Sequence, residues 1–131
     1  MILLDTHIWI QWIINGNEGI PAGIVRAIQD AEEVAVSAIS CWEVVMLNQR
    51  HRIDLPLEPA AWIAKALGPT GIACIPISCE IAHKAAQLPQ HHKDPADRLI
   101  IATALIHEAD LASLDSQFPH YQEIVPRLLS E

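Results

Sequence analysis

The sequence predicts an α/β fold, a three-layer α/β/α sandwich around a central, mainly parallel sheet of four to five strands. Three observations carry that expectation. Short apolar runs without polar alternation (Ile2-Leu3-Leu4, Val34-Ala35-Val36, Ile72-Ala73-Cys74-Ile75 and Leu111-Ala112-Ser113-Leu114) mark strands buried on both faces. Helical segments separate these runs, and strand–helix alternation implies parallel pairing through right-handed crossovers, with helices on both faces of the sheet. The composition is 51% hydrophobic and 18% charged over 131 residues, which suits one domain spanning 1–131 with a core that needs no disulfide or metal staple.

The elements follow in order. After the first strand, Ile8 to Ile14 reads as a short buried helix stopped at Asn15-Gly16-Asn17. Pro21 suits the first turn of a helix from about Ile20 to Ala31, with Ile24, Val25 and Ile28 on one face. Ser37 ends the second strand and is placed to cap a helix from Ala38 to about Gln49. There Ile39, Trp42, Val45 and Met46 trace an apolar stripe at helical spacing, and Arg50-His51-Arg52 closes the helix with charge favourable to its dipole. A turn around Pro56 and Pro59 leads to a helix from Ala60 to Leu67, ended by Gly68-Pro69. The third strand halts at Pro76, and Ser78 starts a helix to about Gln87. Leu88 to Lys93 is a polar loop expected to climb back to the carboxyl edge of the sheet, so that the helix opening at Asp94-Pro95-Ala96-Asp97-Arg98, and running to about Glu108, starts beside Asp5. The fourth strand ends at Asp115, Phe118 and Tyr121 anchor the next loop, and Ile124-Val125 is expected as a fifth edge strand before Pro126.

The net charge of −8 counts against a general nucleic-acid binder, which is usually basic. That objection weakens if many of the acids are gathered around cations. Cys41, Cys74 and Cys79 are odd in number and lack metal-site spacing, and nothing resembling a signal peptide precedes the first strand, so a reducing cytoplasm is expected. No apolar run approaches the roughly 18 residues that a membrane span requires.

Four acids fall on one edge of the expected sheet. Asp5 follows the first strand, Glu43 lies early in the helix after the second, Asp97 occupies the first turn of the long helix, and Asp115 follows the fourth strand. Asp94 is a fifth candidate. Crowded carboxylates raise one another's pKa, so a chain that gathers them normally has a cation there. Carboxylate and water oxygens are the ligands that Mg²⁺ and Mn²⁺ prefer. Such a pocket is suited to phosphodiester hydrolysis by an activated water, with no nucleophilic side chain. Each acid also has a structural role available. Ser40 to Glu43 fits a capping box if the helix begins at Ser40, and Asp94 with Pro95 fits an N-cap followed by proline. Asp97 suits the helix dipole, and Asp115-Ser116 an ordinary turn. Asp5, which abuts a buried strand, is the hardest to explain that way.

Other constellations are weaker. The seven histidines lack zinc-like spacing, and the four tryptophans (Trp9, Trp12, Trp42, Trp62) occupy helix-face positions that suit a core or an interface better than base stacking. There is no glycine-rich phosphate loop or nucleophile elbow. A phosphotransfer domain of the haloacid-dehalogenase kind wants a second Asp two residues after the first, where His7 stands. A non-catalytic protein-binding module is the alternative from another class.

With these residues assembled, the chain resembles the PIN-domain ribonucleases, and within them the VapC-type toxins of bacterial toxin–antitoxin pairs. The likeness rests on Leu3-Leu4-Asp5-Thr6-His7, Ser37-Ala38-Ile39-Ser40-Cys41-Trp42-Glu43, the run from Asp94 to Ala104, and Leu114-Asp115 before Phe118 and Tyr121. It implies a Mg²⁺- or Mn²⁺-dependent endoribonuclease, an RNA substrate, a homodimer, and a cognate antitoxin whose C-terminal segment occupies the active-site groove. It also implies that Asp5, Glu43, Asp97 and Asp115 are the metal-binding acids, with Asp94 a nearby assistant. Thr6 and Ser113 match hydroxyl positions beside the first and fourth acids, and Arg98 matches the basic residue after the third. The last block departs from the commoner Thr-x-Asp ending, with Ser113-Leu114-Asp115 in its place. Arg50, Arg52, Lys93 and Arg98 are the available phosphate contacts.

Overall fold

The structure is a computed structural model that describes residues 1–90 and 94–131. The expectations that fall on His91, His92 and Lys93 lie outside the described residues. Five strands form one all-parallel sheet: β1 (Ile2–Leu4), β2 (Val34–Ser37), β3 (Ile72–Ile75), β4 (Asp110–Ala112) and β5 (Leu128–Leu129), in the order β3-β2-β1-β4-β5. Around it lie α1 (Thr6–Asn15), α2 (Ala22–Asp30), α3 (Ala38–Gln49), α4 (Pro59–Ala66), α5 (Cys79–Gln87) and α6 (Pro95–Ile106). Among the described residues no helix is long and apolar enough to cross a membrane.

β1 lies in the middle of the sheet, with Ile2 opposite Val34 of β2 and Leu3 opposite Leu111 of β4. Because successive side chains of a strand point to opposite faces, a central strand covered on both sides must be apolar at every position. Leu3 packs into a core with Ile81 and Ala85 of α5 and with Ile100, Ile101 and Ala104 of α6. Ile2 and Leu4 face the other way, onto Ile8 and Trp9 of α1, Ile24 and Ile28 of α2, and Trp62 of α4. Trp9 and Trp62 meet edge to face at 5.1 Å, and the Trp9 indole N–H donates to the Ala66 carbonyl at 3.3 Å. The strand order reverses between β1 and β4, because the chain first winds outward through β2 and β3 and then returns to the other side of β1. In open α/β sheets the crevice at the carboxyl edge of such a reversal is where ligands bind.

Several expectations need correction. The first helix starts at Thr6, earlier than Ile8, because the Asp5 carboxylate accepts the Thr6 N–H at 2.8 Å and caps it. α3 begins at Ala38 with Ser37 as its cap, the Ile39 N–H donating to Ser37 Oγ at 3.2 Å, so Ser40 and Glu43 do not form a capping box. The third strand is an edge strand, with Ala73 and Cys74 exposed. β4 stops at Ala112, short of Leu114. The Ser113 hydroxyl accepts the Asp115 N–H at 3.1 Å and turns the chain out, leaving Leu114 53% exposed. The fifth strand is Leu128–Leu129 and not Ile124–Val125: Pro126 has no N–H to give a ladder and sits in a 3₁₀ turn at Val125–Arg127, while Ile124 packs in the core. In α3 the fully buried positions are Ser40 and Val44, and Trp42, expected on the core stripe, is exposed.

Candidate active site

Asp5 is the first residue past β1, and it is buried along with its partners. One carboxylate oxygen accepts the Thr6 N–H, and the other accepts the Ser113 hydroxyl at 2.7 Å. Ser113 Oγ in turn accepts the Asp115 N–H, so one serine side chain ties the ends of β1 and β4 together. Asp115 Oδ1 accepts the Gln117 N–H at 2.8 Å, which fixes that acid in the turn after β4. Thr6 points toward α3: its hydroxyl donates to Glu43 Oε1 at 2.5 Å and lies 2.8 Å from Ser40 Oγ. Since Thr6 has one hydroxyl proton, an ionised Glu43 makes Ser40 the donor to Thr6.

From the other side, Asp94 caps α6 through Ala96 N–H at 2.9 Å, as the Asp-Pro pair implied. Asp97, one helical turn in, is buried. One carboxylate oxygen each from Glu43, Asp94 and Asp97 lies within 4.8 Å of the others. Asp5 and Asp115 stand close enough to act on that group through space.

The electrostatics record how costly this crowding is. Burial pushes the Asp97 carboxyl up to about 8, reinforced by the charges of Asp5, Asp94, Glu43 and Asp115. Burial likewise pushes Glu43 up to about 7, opposed by the Thr6 hydrogen bond and reinforced by Asp5, Asp94 and Asp115. Asp5 is raised by burial in spite of its bonds from Ser113 and Thr6. Carboxylates held together in a partly buried, like-charged corner are stabilised by a positive charge placed among them. The donor set is all oxygen, with neither thiolate nor imidazole in the cluster, which suits a hard divalent cation such as Mg²⁺ or Mn²⁺. The residues present therefore fit a metal ion.

Asp5, Glu43, Asp97, Asp115, Asp94, Thr6 and Ser113 thus converge on one edge. Arg98 is employed elsewhere: its Nη2 donates to the carbonyls of Ala86 at 3.2 Å and Leu88 at 2.8 Å, tying the end of α5 to α6. Two residues were not anticipated. Ser40, fully buried, supports Thr6; the available signal was its place one turn before Glu43, which also read as a cap. His7 is the other: it lines two clefts that flank the acids. One cleft, about 320 Å³, adds Ile8, Ile20, Leu114 and Asp115; the other, about 410 Å³, adds Trp42, Glu43, Arg50, Arg52 and Asp94.

Comparison with known proteins points the same way. The PIN domain family model matches residues 2–124. Ribonuclease VapC22 of Mycobacterium tuberculosis is 31% identical over 126 residues, covering 95% of each chain. Among solved structures, VapBC2 from Rickettsia felis bound to a DNA fragment from its promoter superposes with a TM-score of 0.70 at 17% identity, covering 98% of both chains. A toxin–antitoxin complex from Klebsiella pneumoniae gives 0.64 at 23% identity over 98% of this chain and 96% of that one. At these identities the structures speak for the fold.

Proposed function

The chain belongs to the PIN-domain family, and on that premise we propose that it is a metal-dependent endoribonuclease, the toxin of a toxin–antitoxin pair, working as a single PIN domain. The observation that carries the chemistry is the convergence of Glu43, Asp94 and Asp97 oxygens within 4.8 Å, beside Asp5 and Asp115 at the switch point of the sheet. Asp5, Glu43, Asp97 and Asp115 would hold Mg²⁺, for which Mn²⁺ would substitute, and Asp94 would assist from its capping position. A bound divalent ion supplies a lowered pKa for an attacking water and charge neutralisation at the phosphate.

The chain's own residues supply order and protonation control. Asp5 is locked in one orientation by Thr6 N–H and Ser113 Oγ, so its geometry does not have to be organised during each turnover. Thr6 holds Glu43, and Ser40 holds Thr6. Burial pushes Glu43 and Asp97 up to about 7 and about 8, and a divalent cation held there would favour their ionised forms. The side chains of Leu3, Leu4, Leu111 and Ala112 beneath are apolar and buried, which fixes the platform.

The partner is a cognate antitoxin, a reading supported by structural neighbours that are toxin–antitoxin complexes. Its C-terminal segment is proposed to fill the groove over the acids, and the toxin is proposed to work in the cytoplasm as a homodimer. An apolar groove of about 600 Å³ between α1 and α4, with Ile14 and Leu57 exposed on it, is available for a further apolar segment of such a partner.

The test is cleavage of a mixed, labelled RNA pool by antitoxin-free chain with Mn²⁺, with EDTA, and with Asp5→Asn. Cutting is expected only with metal, and Asp5→Asn is expected to lower it on the order of 10³-fold, the scale on which one preorganised charge matters, while circular dichroism stays unchanged. Cutting that survives in EDTA, or in the folded variant, sinks the assignment.

A further inference from the structure

We propose that one single-stranded nucleotide of the RNA, adjacent to the bond that is cut, docks in the cleft lined by Trp42, Arg50 and Arg52, with its base against the Trp42 indole and its phosphate on the two guanidiniums. This rests on the endoribonuclease reading above and names how that substrate is gripped.

Three observations converge on the cleft. The first is Trp42 itself. α3 turns Ser40 and Val44 inward, so the side chain one position before Glu43 points outward and is 54% exposed. The ring adjoins Ile39, Ile77 and Leu99, and a contiguous apolar surface of this kind marks a contact for a partner. Its neighbours in the cleft include two of the acids, Glu43 and Asp94, which puts the ring within one nucleotide's reach of the reaction centre.

The second is the pair of arginines. Arg50 ends α3, and His51 then takes a left-handed conformation, with φ at 55°, that lets the Arg52 N–H donate back to the Leu47 carbonyl at 2.9 Å. A non-glycine residue held there is strained. The result of that turn is that Arg50 and Arg52, two residues apart, both line the same cleft. Neither pairs with an acid among the described residues. Arg98 and Arg127, by contrast, are spent on the fold: Arg98 on the end of α5, Arg127 on the Glu108 carbonyl and Asp110.

The third is chemical fit. An exposed aromatic ring beside cations is the combination that binds single-stranded nucleic acid, because every base offers a face for stacking and every phosphate a charge. In a chain of net charge −8, two arginines that pair with no acid among the described residues offset the acidic centre's repulsion of the phosphate backbone. The cleft, about 410 Å³, lies in the ordinary range for a small-molecule-sized ligand. On its other side Trp42 borders an apolar groove with Ile39, Ile77 and Leu99, and the rival occupant for the ring is therefore a second copy of this chain.

The experiment compares wild type with Trp42→Leu, Trp42→Phe and the pair Arg50→Gln/Arg52→Gln, all antitoxin-free. It measures kcat and KM on labelled RNA with Mn²⁺, Mn²⁺ affinity alone, salt dependence, indole fluorescence on adding RNA oligonucleotide, and sedimentation. Trp42→Leu is expected to raise KM about tenfold or more, to lose the RNA-induced quenching, and to leave Mn²⁺ affinity and sedimentation unchanged. Trp42→Phe is expected to restore most of the KM. The arginine pair is expected to flatten the logarithmic salt slope by about 0.7 per lost phosphate contact. A wild-type KM and quenching in Trp42→Leu overturn the proposal, as does a Trp42→Leu variant whose only change is a shift from dimer to monomer. Failure of the wild type to cut any RNA overturns the endoribonuclease reading; docking at Trp42 is then decided by quenching alone.

Discussion

The interior of the sheet and its carboxyl edge are made by the same strands, yet they answer to opposite rules. Leu3 and Leu4 are fully buried among apolar side chains, and one residue later Asp5 is nearly as buried and carries a carboxyl raised above its ordinary range. The interior gains from every group it hides, whereas the edge hides groups that prefer water and each other's absence. The division teaches that stability in this chain is supplied by the layers below and consumed at the rim. Sites of this kind are favoured by ligand binding and not by folding.

The largest effect that sharpens the comparison belongs to the interior. Trp9→Ala removes a fully buried ring packed on Trp62 and a donor to Ala66, and should cost about 3–5 kcal/mol in urea denaturation. Cleavage per folded molecule should be preserved; a small loss of stability with a large loss of turnover would break the division. Next comes the seam between the regions. Ser113→Ala leaves Asp5 without its hydroxyl donor and should weaken Mn²⁺ binding about 10- to 100-fold by calorimetry. Unchanged affinity would show that Asp5 needs no such orientation.

The smallest effect concerns the rim in the absence of metal. Glu43 and Asp97 hold protons in the folded state up to about 7 and about 8, far above the ordinary carboxyl values of 4.5 and 3.8 that describe the unfolded chain. Between those limits the native protein binds more protons than the unfolded one, so metal-free stability falls as pH rises from about 5 to 8. Asp97→Asn should make that fall shallower and raise the metal-free melting temperature at pH 8 by a few degrees, about what 1 kcal/mol gives in a domain this size, while abolishing the extra stabilisation by Mn²⁺. A melting profile identical to wild type across that range would refute the account.

Much of this was legible in the residues. Unbroken apolar runs marked β1, β2 and β3, and the caps at Ser37, Ser78 and Asp94 hold as read. Asp5, Asp94, Asp97 and Asp115 meet because each follows a strand or opens a helix on one edge, a consequence of parallel pairing, and Glu43 joins them from the second turn of α3. What escaped was decided by contacts distant in sequence. Glu43 is held by Thr6, 37 residues away, and no local pattern distinguishes that from a cap. Helical periodicity grouped Trp42 with Ile39, Val45 and Met46, but it cannot say which stripe of a helix meets the sheet. Leu114 continued an apolar run that Ser113 ends by bonding to Asp5. Arg98, expected as an available phosphate contact, places its Nη2 on the carbonyls of Ala86 and Leu88, at the end of the preceding helix.

The bond from Ser113 to Asp5 spans 108 positions of the chain. A growing polypeptide therefore carries Asp5, Thr6 and Glu43 long before the residues that orient Asp5 have been made, and the centre assembles only once β4 has docked against β1. For a protein proposed to cut RNA, that order of events matters during its own synthesis: the nascent chain hangs beside ribosomal and messenger RNA while its blade is still in two pieces.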